Sequence, residues 1–304
     1  MKLFSKKNIL SSNNKIVFII VFISLHFLCN YYSYKLSNFF YNKRIKRLHR
    51  FNRTYDESHL ITFEDKINWL AIHDVNRLKG KCSDKILLHQ YSKRILKKDI
   101  CNKILKIYDD PYKINISELP VQFVLKTNHG SGYNIIVANK THFNINSAKK
   151  NLYNWLQRNY GYETTEFHYV FIKRKAFAEE FIGKNLNNYK FMCYDSVPKF
   201  VYLSKKVNHT KYRTFFDMNW NKLDFDCLSE RDPYNIYSKP KTFELMKEYA
   251  HKLSRPFKFA RIDFYEHKGE IRLGEITFTP MNGFFFCKKY EHNVELGKYI
   301  RIFK

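Results

Sequence analysis

Between Phe259 and Thr277 the chain largely alternates apolar and polar residues with a period of two, with turn residues at His267-Lys268-Gly269. That pattern fits two adjacent strands joined by a tight turn. Alternation places Arg261 and Asp263 on one face of the first strand, and Glu275 and Thr277 on one face of the second. The flanking residues are strongly apolar, and an acid in such surroundings needs a partner. Two carboxylates on neighbouring strands with an arginine beside them form a site for a hard cation that bridges phosphate oxygens. A surface cross-strand ion cluster is the plainer alternative. The first reading points to a nucleotide-using enzyme.

Four other places carry candidate chemistry. Lys126 closes an apolar strand, Gln122–Lys126, and opens a loop through Thr127, Asn128, His129, Gly130, Ser131 and Gly132. Glycines let backbone N–H groups approach phosphate oxygens, and a lysine supplies the opposite charge. The same residues also suit an ordinary hairpin, and His129 fits a base, a phosphate donor or a plain loop residue. Glu179 and Glu180 end a strand over Phe177–Ile182, one expected to point inward and one to solvent; an inward carboxylate can accept from an adenine amino group or a ribose hydroxyl. Lys190 lies among apolar residues on a further strand, where a cation either finds a partner or snorkels to solvent. Asp224-Phe225-Asp226 is a D-x-D, a spacing that holds a divalent metal in some sugar-nucleotide transferases and that arises often by chance.

The remaining elements follow from periodicity and caps. Thr62 and Asp65 cap a helix with Ile67, Leu70 and Ala71 inward. Ser83 is expected to cap a second helix with Ile86, Leu87, Tyr91 and Ile95 inward. A short helix is expected over Asp99–Tyr108, and others over 147–159, opened by Ser147, and 241–254. Strands are expected at Ile135–Val137, Tyr189–Tyr194 and Lys199–Leu203, with a turn at Asp195–Pro198. Helices and strands mix without regular alternation, so the class is α+β.

Residues 16–34 form an uncharged run between Lys15 and Lys35, ending in Tyr31, Tyr32 and Tyr34. Nineteen residues at about 1.5 Å rise approach the hydrocarbon thickness, so this reads as a single-span anchor; a cleaved signal peptide is the rival. It would divide the chain into a basic tail (1–15), an anchor (16–34), a basic juxtamembrane linker (35–61) suited to anionic lipid, and a catalytic domain (62–304). The excess of basic residues after the run favours a cytoplasmic catalytic domain, with a lumenal one as the alternative. The net charge is +26, and residues 1–55 hold eleven Lys/Arg and no acid. Such a balance suits anionic partners. No nucleic-acid-binding module is present, which leaves nucleotides, acidic lipid or acidic glycan. The six cysteines, Cys29, Cys82, Cys101, Cys193, Cys227 and Cys287, show no metal spacing and no disulfide framework; free buried thiols in a reducing compartment are the simplest expectation. Four Asn-x-Ser/Thr sequons begin at Asn52, Asn115, Asn139 and Asn208; in a eukaryotic host, glycans there would place the domain in the lumen and favour a sugar-nucleotide transferase.

In this order and spacing, Ser83-Asp84-Lys85, Phe123 to Gly132, Ala178-Glu179-Glu180-Phe181, Asn188-Tyr189-Lys190-Phe191, Arg261 to Tyr265 and Gly274 to Pro280 resemble the ATP-grasp superfamily, and within it the TupA-like branch named for teichuronopeptide biosynthesis. The resemblance covers about residues 62–298. It implies a fold of mixed and antiparallel sheets that sandwich a nucleotide, with ATP and Mg2+ as cofactors. It further implies that Lys85 and Lys126 contact the phosphates and that the Gly130–Gly132 loop closes over them. Glu179 and Glu180 would flank the adenine and ribose. Lys190 would assist the phosphates or the acceptor, Arg261 would stabilise the transferring phosphoryl group, and Asp263 and Glu275 would bind magnesium. Where the superfamily has Asn two residues after the metal glutamate, this chain has Thr277, as expected of the branch; a hydroxyl can coordinate or orient water. Asn188 stands where the branch has Asp, and His89 where it has Arg. The implied activity is carboxylate–amine or carboxylate–thiol ligation through an acyl phosphate, on an acceptor of cell-surface glycan or glycopeptide assembly, acidic or lipid-linked. A glycosyltransferase using Asp224 and Asp226, and a non-catalytic nucleotide-binding protein, are the alternatives.

Overall fold

The computed structural model describes residues 35–302 apart from 36–37, 51–52, 184–185, 208, 229 and 232–236. The expected anchor at 16–34 lies outside the described residues. Among the described residues, no helix is long and apolar enough to cross a membrane. Within the expected linker, residues 38–50 are helical (α1) and belong to a separate unit, Met1–Arg53; everything below concerns the unit Thr54–Lys304.

Two sheets dominate that unit. The smaller has strands β1 (Ile104–Tyr108), β2 (Phe123–Thr127), β3 (Asn134–Val137) and β4 (Ala176–Glu180), in the order β1-β4-β2-β3, all antiparallel. The larger runs β11-β10-β5-β6-β7-β8, built from β5 (Asn188–Tyr194), β6 (Val197–Val207), β7 (Thr210–Asp217), β8 (Lys222–Leu223), β10 (Phe259–His267) and β11 (Glu270–Thr277). A two-residue strand β9 (Glu230–Arg231) pairs in parallel with β7. The α+β class holds, and the other pairings between these strands are antiparallel among the described residues.

Period-2 alternation gives each sheet two chemically different faces. In the larger sheet, Phe191, Cys193, Ile262 and Phe264 face helices α4 (Leu87–Leu96) and α7 (Phe243–Ser254), joining Tyr91, Met246 and Leu253 in one core. On the opposite face Met192, Tyr194, Phe200 and Phe259 pack against α2 (Phe63–His73) and α8 (Tyr290–Lys298) in a second core. Lys190, Arg261 and Asp263 share the parity of this second face but lie beyond the apolar patch. In the smaller sheet Phe123, Leu125, Ala176 and Ala178 pack against α5 (Ile145–Gln157) in a third core. That leaves Val124, Lys126 and Glu179 on its other face.

The α2 start is as expected: Thr62 accepts from the Asp65 N–H and Asp65 returns the bond to the Thr62 N–H, a reciprocal cap. The start of α4 differs. Asp84, not Ser83, takes the N–H groups of Ile86 and Leu87, while Ser83 ends a separate helix α3 (Arg77–Ser83). The cap of α5 is Asn144, which accepts from the Ser147 N–H. A short helix α6 (Tyr160–Thr164) follows.

The helix expected over Asp99–Tyr108 is not there; its second half is β1. Ile104, Ile107 and Tyr108 follow helical spacing, and pairing along the edge of β4 nonetheless makes the segment a strand. The turn between β5 and β6 is tighter than expected, only Asp195 and Ser196, both with positive φ. The cysteine expectation is corrected as well: Cys227 and Cys287 form a disulfide across 60 residues. The spacing showed no framework because one bridge between distant segments leaves no repeat. Cys82, Cys101 and Cys193 are free and buried, as expected.

Candidate functional site

The acids near the C-terminus owe their placement to an irregularity. In the β10–β11 ladder Asp263 faces Glu275 and Phe264 faces Leu273, so Gly274 is an extra residue. Ile271 and Leu273 point into the core on one side of it, and Ile276 does so on the other. The bulge therefore shifts the alternation by one, and Glu275 and Thr277 turn to the Arg261–Asp263 face instead of following Leu273 inward. Glycine is required by space: a Cβ at 274 would stand 2.6 Å from the Tyr265 ring.

On that face the charges interlock. Arg261 Nε and Nη2 donate to the two Asp263 oxygens at 2.7 and 2.8 Å. The same Nη2 reaches Glu275 Oε1 at 2.6 Å and Thr277 Oγ1 at 3.0 Å, while Nη1 donates to the Tyr202 hydroxyl at 3.3 Å. Lys190, opposite Asp263 in the ladder, donates to Asp263 Oδ2. Asp263 is 1% exposed, whereas the Glu275 side chain keeps 38% of its surface open. Desolvation works against the Glu275 carboxylate, but the positive charges of Arg261, Lys190 and Lys85 outweigh it and bring its pKa down to about 2. Burial works against the Arg261 cation, and Asp263, Tyr202 and Glu275 hold it well above the usual range.

The smaller sheet supplies the facing groups. Lys126 on β2 pairs with Glu179 on β4. Lys85, between α3 and α4, donates to the Gly130 carbonyl at 2.6 Å. Burial lowers its pKa, partly offset by the Glu275 charge. Gly130 and Gly132 have φ of 76° and 78°, which lets the loop turn its backbone without strain.

Two adjoining cavities connect these residues. One, of about 190 Å³, is lined by Lys85, Lys126, Ser131, Gly132, Glu179 and Glu275, among others. The second, of about 570 Å³, adds an apolar wall from Val124, Ile136, Phe181 and Ile182, with Glu180 at its edge. Lys126, Glu179, Asn102, Asn134 and Tyr265 line both, so they are two ends of one cleft. Glu180 accepts from the Lys103 N–H at 2.9 Å.

Of the expected residues, Lys85, Lys126, Ser131, Gly132, Glu179, Glu180 and Glu275 line the cleft. Arg261, Asp263, Lys190 and Thr277 form the ion cluster on which Glu275 rests. His129 is 1% exposed and packs beside Tyr133 rather than lining either cavity. Burial, with the Lys85 and Arg174 charges, lowers its pKa to about 4. Asp226 is bound to His292 at 2.7 Å and accepts from the Lys289 N–H. Neither Asp224 nor Asp226 lines the cleft; Asp224 borders a separate hollow of about 210 Å³.

Several supporting residues have only weak sequence signals. Asn128 is buried: its amide donates to Asp84 at 2.9 Å, and its carbonyl accepts from the Lys175 N–H at 2.7 Å. It thereby ties the Lys85 segment to β2 and β4. Asn188 donates to the Tyr265 hydroxyl at 3.0 Å, and His89 pairs with Asp99 at 2.6 Å. The buried Glu166 accepts from the Thr279 hydroxyl, just after β11. The one legible hint was the three-residue spacing from Leu273 to Ile276 around a glycine, which marks a bulge.

A family model described as TupA-like ATPgrasp matches residues 65–301. No curated protein matches the chain. Among solved structures, D-alanine–D-alanine ligase from Bacillus anthracis is 16% identical, with 66% of this chain and 57% of that chain covered at a TM-score of 0.40. The corresponding ligase from Helicobacter pylori is 18% identical, with 72% and 61% covered and a TM-score of 0.39. The ADP complex of purK, N5-carboxyaminoimidazole ribonucleotide synthetase, is 12% identical, with 74% and 52% covered and a TM-score of 0.42. The chain spans between 52% and 61% of the length of these three. At these values the likeness carries no argument about reaction or substrate.

Proposed function

Because the chain belongs to the TupA-like ATP-grasp family, we propose that it is an ATP-dependent, magnesium-requiring enzyme with carboxylate–amine ligase chemistry, whose nucleotide site is the cleft between the two sheets. The observation that carries this reading is a convergence of oxygens. Asp263 Oδ2, Glu275 Oε1 and Thr277 Oγ1 all lie within 3.0 Å of Arg261 Nη2, beside a cleft that also holds two lysines and a glycine loop. These are carboxylate and hydroxyl oxygens, the donor type a hard cation takes; Arg261 holds them in this structure, and of the three residues Glu275 lines the cleft, so Mg2+ would have to take these oxygens over from the guanidinium. The apolar wall beside Glu179 and Glu180 fits a purine base, with carboxylates placed to accept from its amino group or from the ribose.

The roles follow from charge and position. Lys85, Lys126 and the Gly130–Gly132 loop neutralise and orient phosphates. Asp263, Glu275 and Thr277 would hold the metal. Arg261, buried and permanently charged, stabilises negative charge that develops on the transferring group. Lys190 fixes Asp263 and adds a second positive charge. When bound, ATP would supply the γ-phosphoryl group that activates a carboxylate as an acyl phosphate, with ADP as the leaving group and Mg2+ balancing the phosphate charge, and a nucleophile would then displace phosphate. The acceptor class is an acidic glycan, glycopeptide or lipid-linked molecule of the cell surface. Residues 16–34 anchor the chain, 35–61 form a basic juxtamembrane linker, and 62–304 are catalytic. The uncharged run at 16–34 supports the anchor, and the family match over 65–301 supports the catalytic part.

Titration of the full chain in detergent with ATP and with sugar nucleotides, with and without Mg2+, tests the reading. Magnesium-dependent ATP binding is expected, weakened about tenfold or more, or ~1.4 kcal/mol, in Glu275→Gln and Asp263→Asn. Equal binding by both variants would reject the metal assignment. A preference for a sugar nucleotide would reject the activity.

A further inference from the structure

Cys227 and Cys287 are 1% and 6% exposed, and the backbone pairs on both sides of their bridge. Leu228 N–H donates to the Phe286 carbonyl at 2.7 Å, and Lys288 N–H to the Asp226 carbonyl at 3.2 Å. The bond is thus built into the packed unit. Structural disulfides of this kind belong to oxidising compartments and are rare where thiols are kept reduced.

Two of the four sequons fall among the described residues, and both take one geometry. Asn115 and Asn139 are exposed, and each opens a 3-10 turn. The Asn115 carbonyl accepts from the Ser117 N–H at 3.1 Å and from its hydroxyl at 2.8 Å. The Asn139 carbonyl accepts from the Thr141 N–H at 3.0 Å and also from its hydroxyl. The hydroxyl of the third sequon residue therefore lies against the carboxamide to be modified, with solvent outside it. Asn115 borders neither cavity; Asn139 follows Ala138 at the cleft rim.

We propose that this unit matures in an oxidising secretory lumen and carries N-linked oligosaccharides on Asn115 and Asn139. In the transfer, Nδ2 attacks C1 of a lipid-pyrophosphate-linked oligosaccharide. A C1–N bond forms, the C1–O bond to pyrophosphate breaks, and the amide proton passes to the transferase's base. The disulfide forms separately, the two thiols giving two electrons and two protons to an oxidised dithiol oxidoreductase. This assignment takes the lumenal alternative for the catalytic domain and does not depend on nucleotide binding.

The full chain, expressed in a eukaryotic secretory cell, tests it by gel mobility before and after peptide-N-glycosidase digestion, and by thiol alkylation without reduction. Digestion is expected to speed migration. Asn115→Gln and Ser117→Ala should each remove the same single step, and Asn139→Gln and Thr141→Ala another. Ser117→Thr and Thr141→Ser should retain both steps, which separates lost modification from misfolding. Cys227 and Cys287 should resist alkylation until reduced. A chain whose mobility digestion leaves unchanged, substitutions at Asn115 and Asn139 that remove no step, or alkylation of both cysteines without reduction would each overturn the proposal.

Discussion

Asp263 is held by two cations, Arg261 and Lys190, at almost complete burial. Removing its charge leaves Lys190 without its ion-pair partner and Arg261 with Glu275 alone, and breaking a buried pair in this way costs roughly 3–5 kcal/mol. Asp263→Asn should therefore lower the urea midpoint as well as weaken metal-dependent binding, whereas the half-open Glu275→Gln should affect binding more than stability. The two also separate by pH. Glu275 has a folded pKa of about 2 against an ordinary 4.5, so its stabilising contribution is complete above 4.5 and lost as pH falls towards 2. The stability gap between wild type and Glu275→Gln should close across that window in urea titrations. His129 works in the opposite chemical sense: burial keeps it neutral down to about pH 4, while the unfolded chain takes up a proton from about 6.5. Stability should drain away from pH 6.5 to 4, and His129→Phe should flatten that slope.

At the scale of elements, the β10–β11 hairpin decides the site. Its turn, Lys268-Gly269, its alternation and the shared face of Arg261 and Asp263 were legible from residue order, because strand periodicity is local. The facing of Glu275 with Asp263 was legible in outcome but not in cause, since a bulge shows only when the partner strand's register is known. Gly274→Val should push the Tyr265 ring into both ends of the cleft. We expect ATP affinity to fall about tenfold or more, ~1.4 kcal/mol, in calorimetry. The α2 cap was read correctly because Thr62 and Asp65 satisfy each other within one turn. The segment 99–108, which holds β1, was misread because its apolar residues follow helical spacing and only the distant edge of β4 settles it. The cleft's second layer, Asn128 with Asp84 and Glu166 with Thr279, joins residues far apart in sequence. No local signal marks such pairs.

Across the whole molecule, the Cys227–Cys287 bridge closes a 60-residue loop that includes α7, β10 and β11. Chain-entropy arguments give such a closure about 4 kcal/mol. Cys287→Ser should lower the melting temperature, and reductant should do the same to wild type but not to the variant. The bridge escaped the sequence reading for the same reason as the buried hydrogen-bond pairs. The cleft, meanwhile, draws its walls from two sheets with separate apolar cores, α5 lying under the smaller and α2, α4, α7 and α8 around the larger. A molecule bridging Lys126 and Glu275 would span the two sheets and tie one jaw to the other like a strut, without reshaping either core.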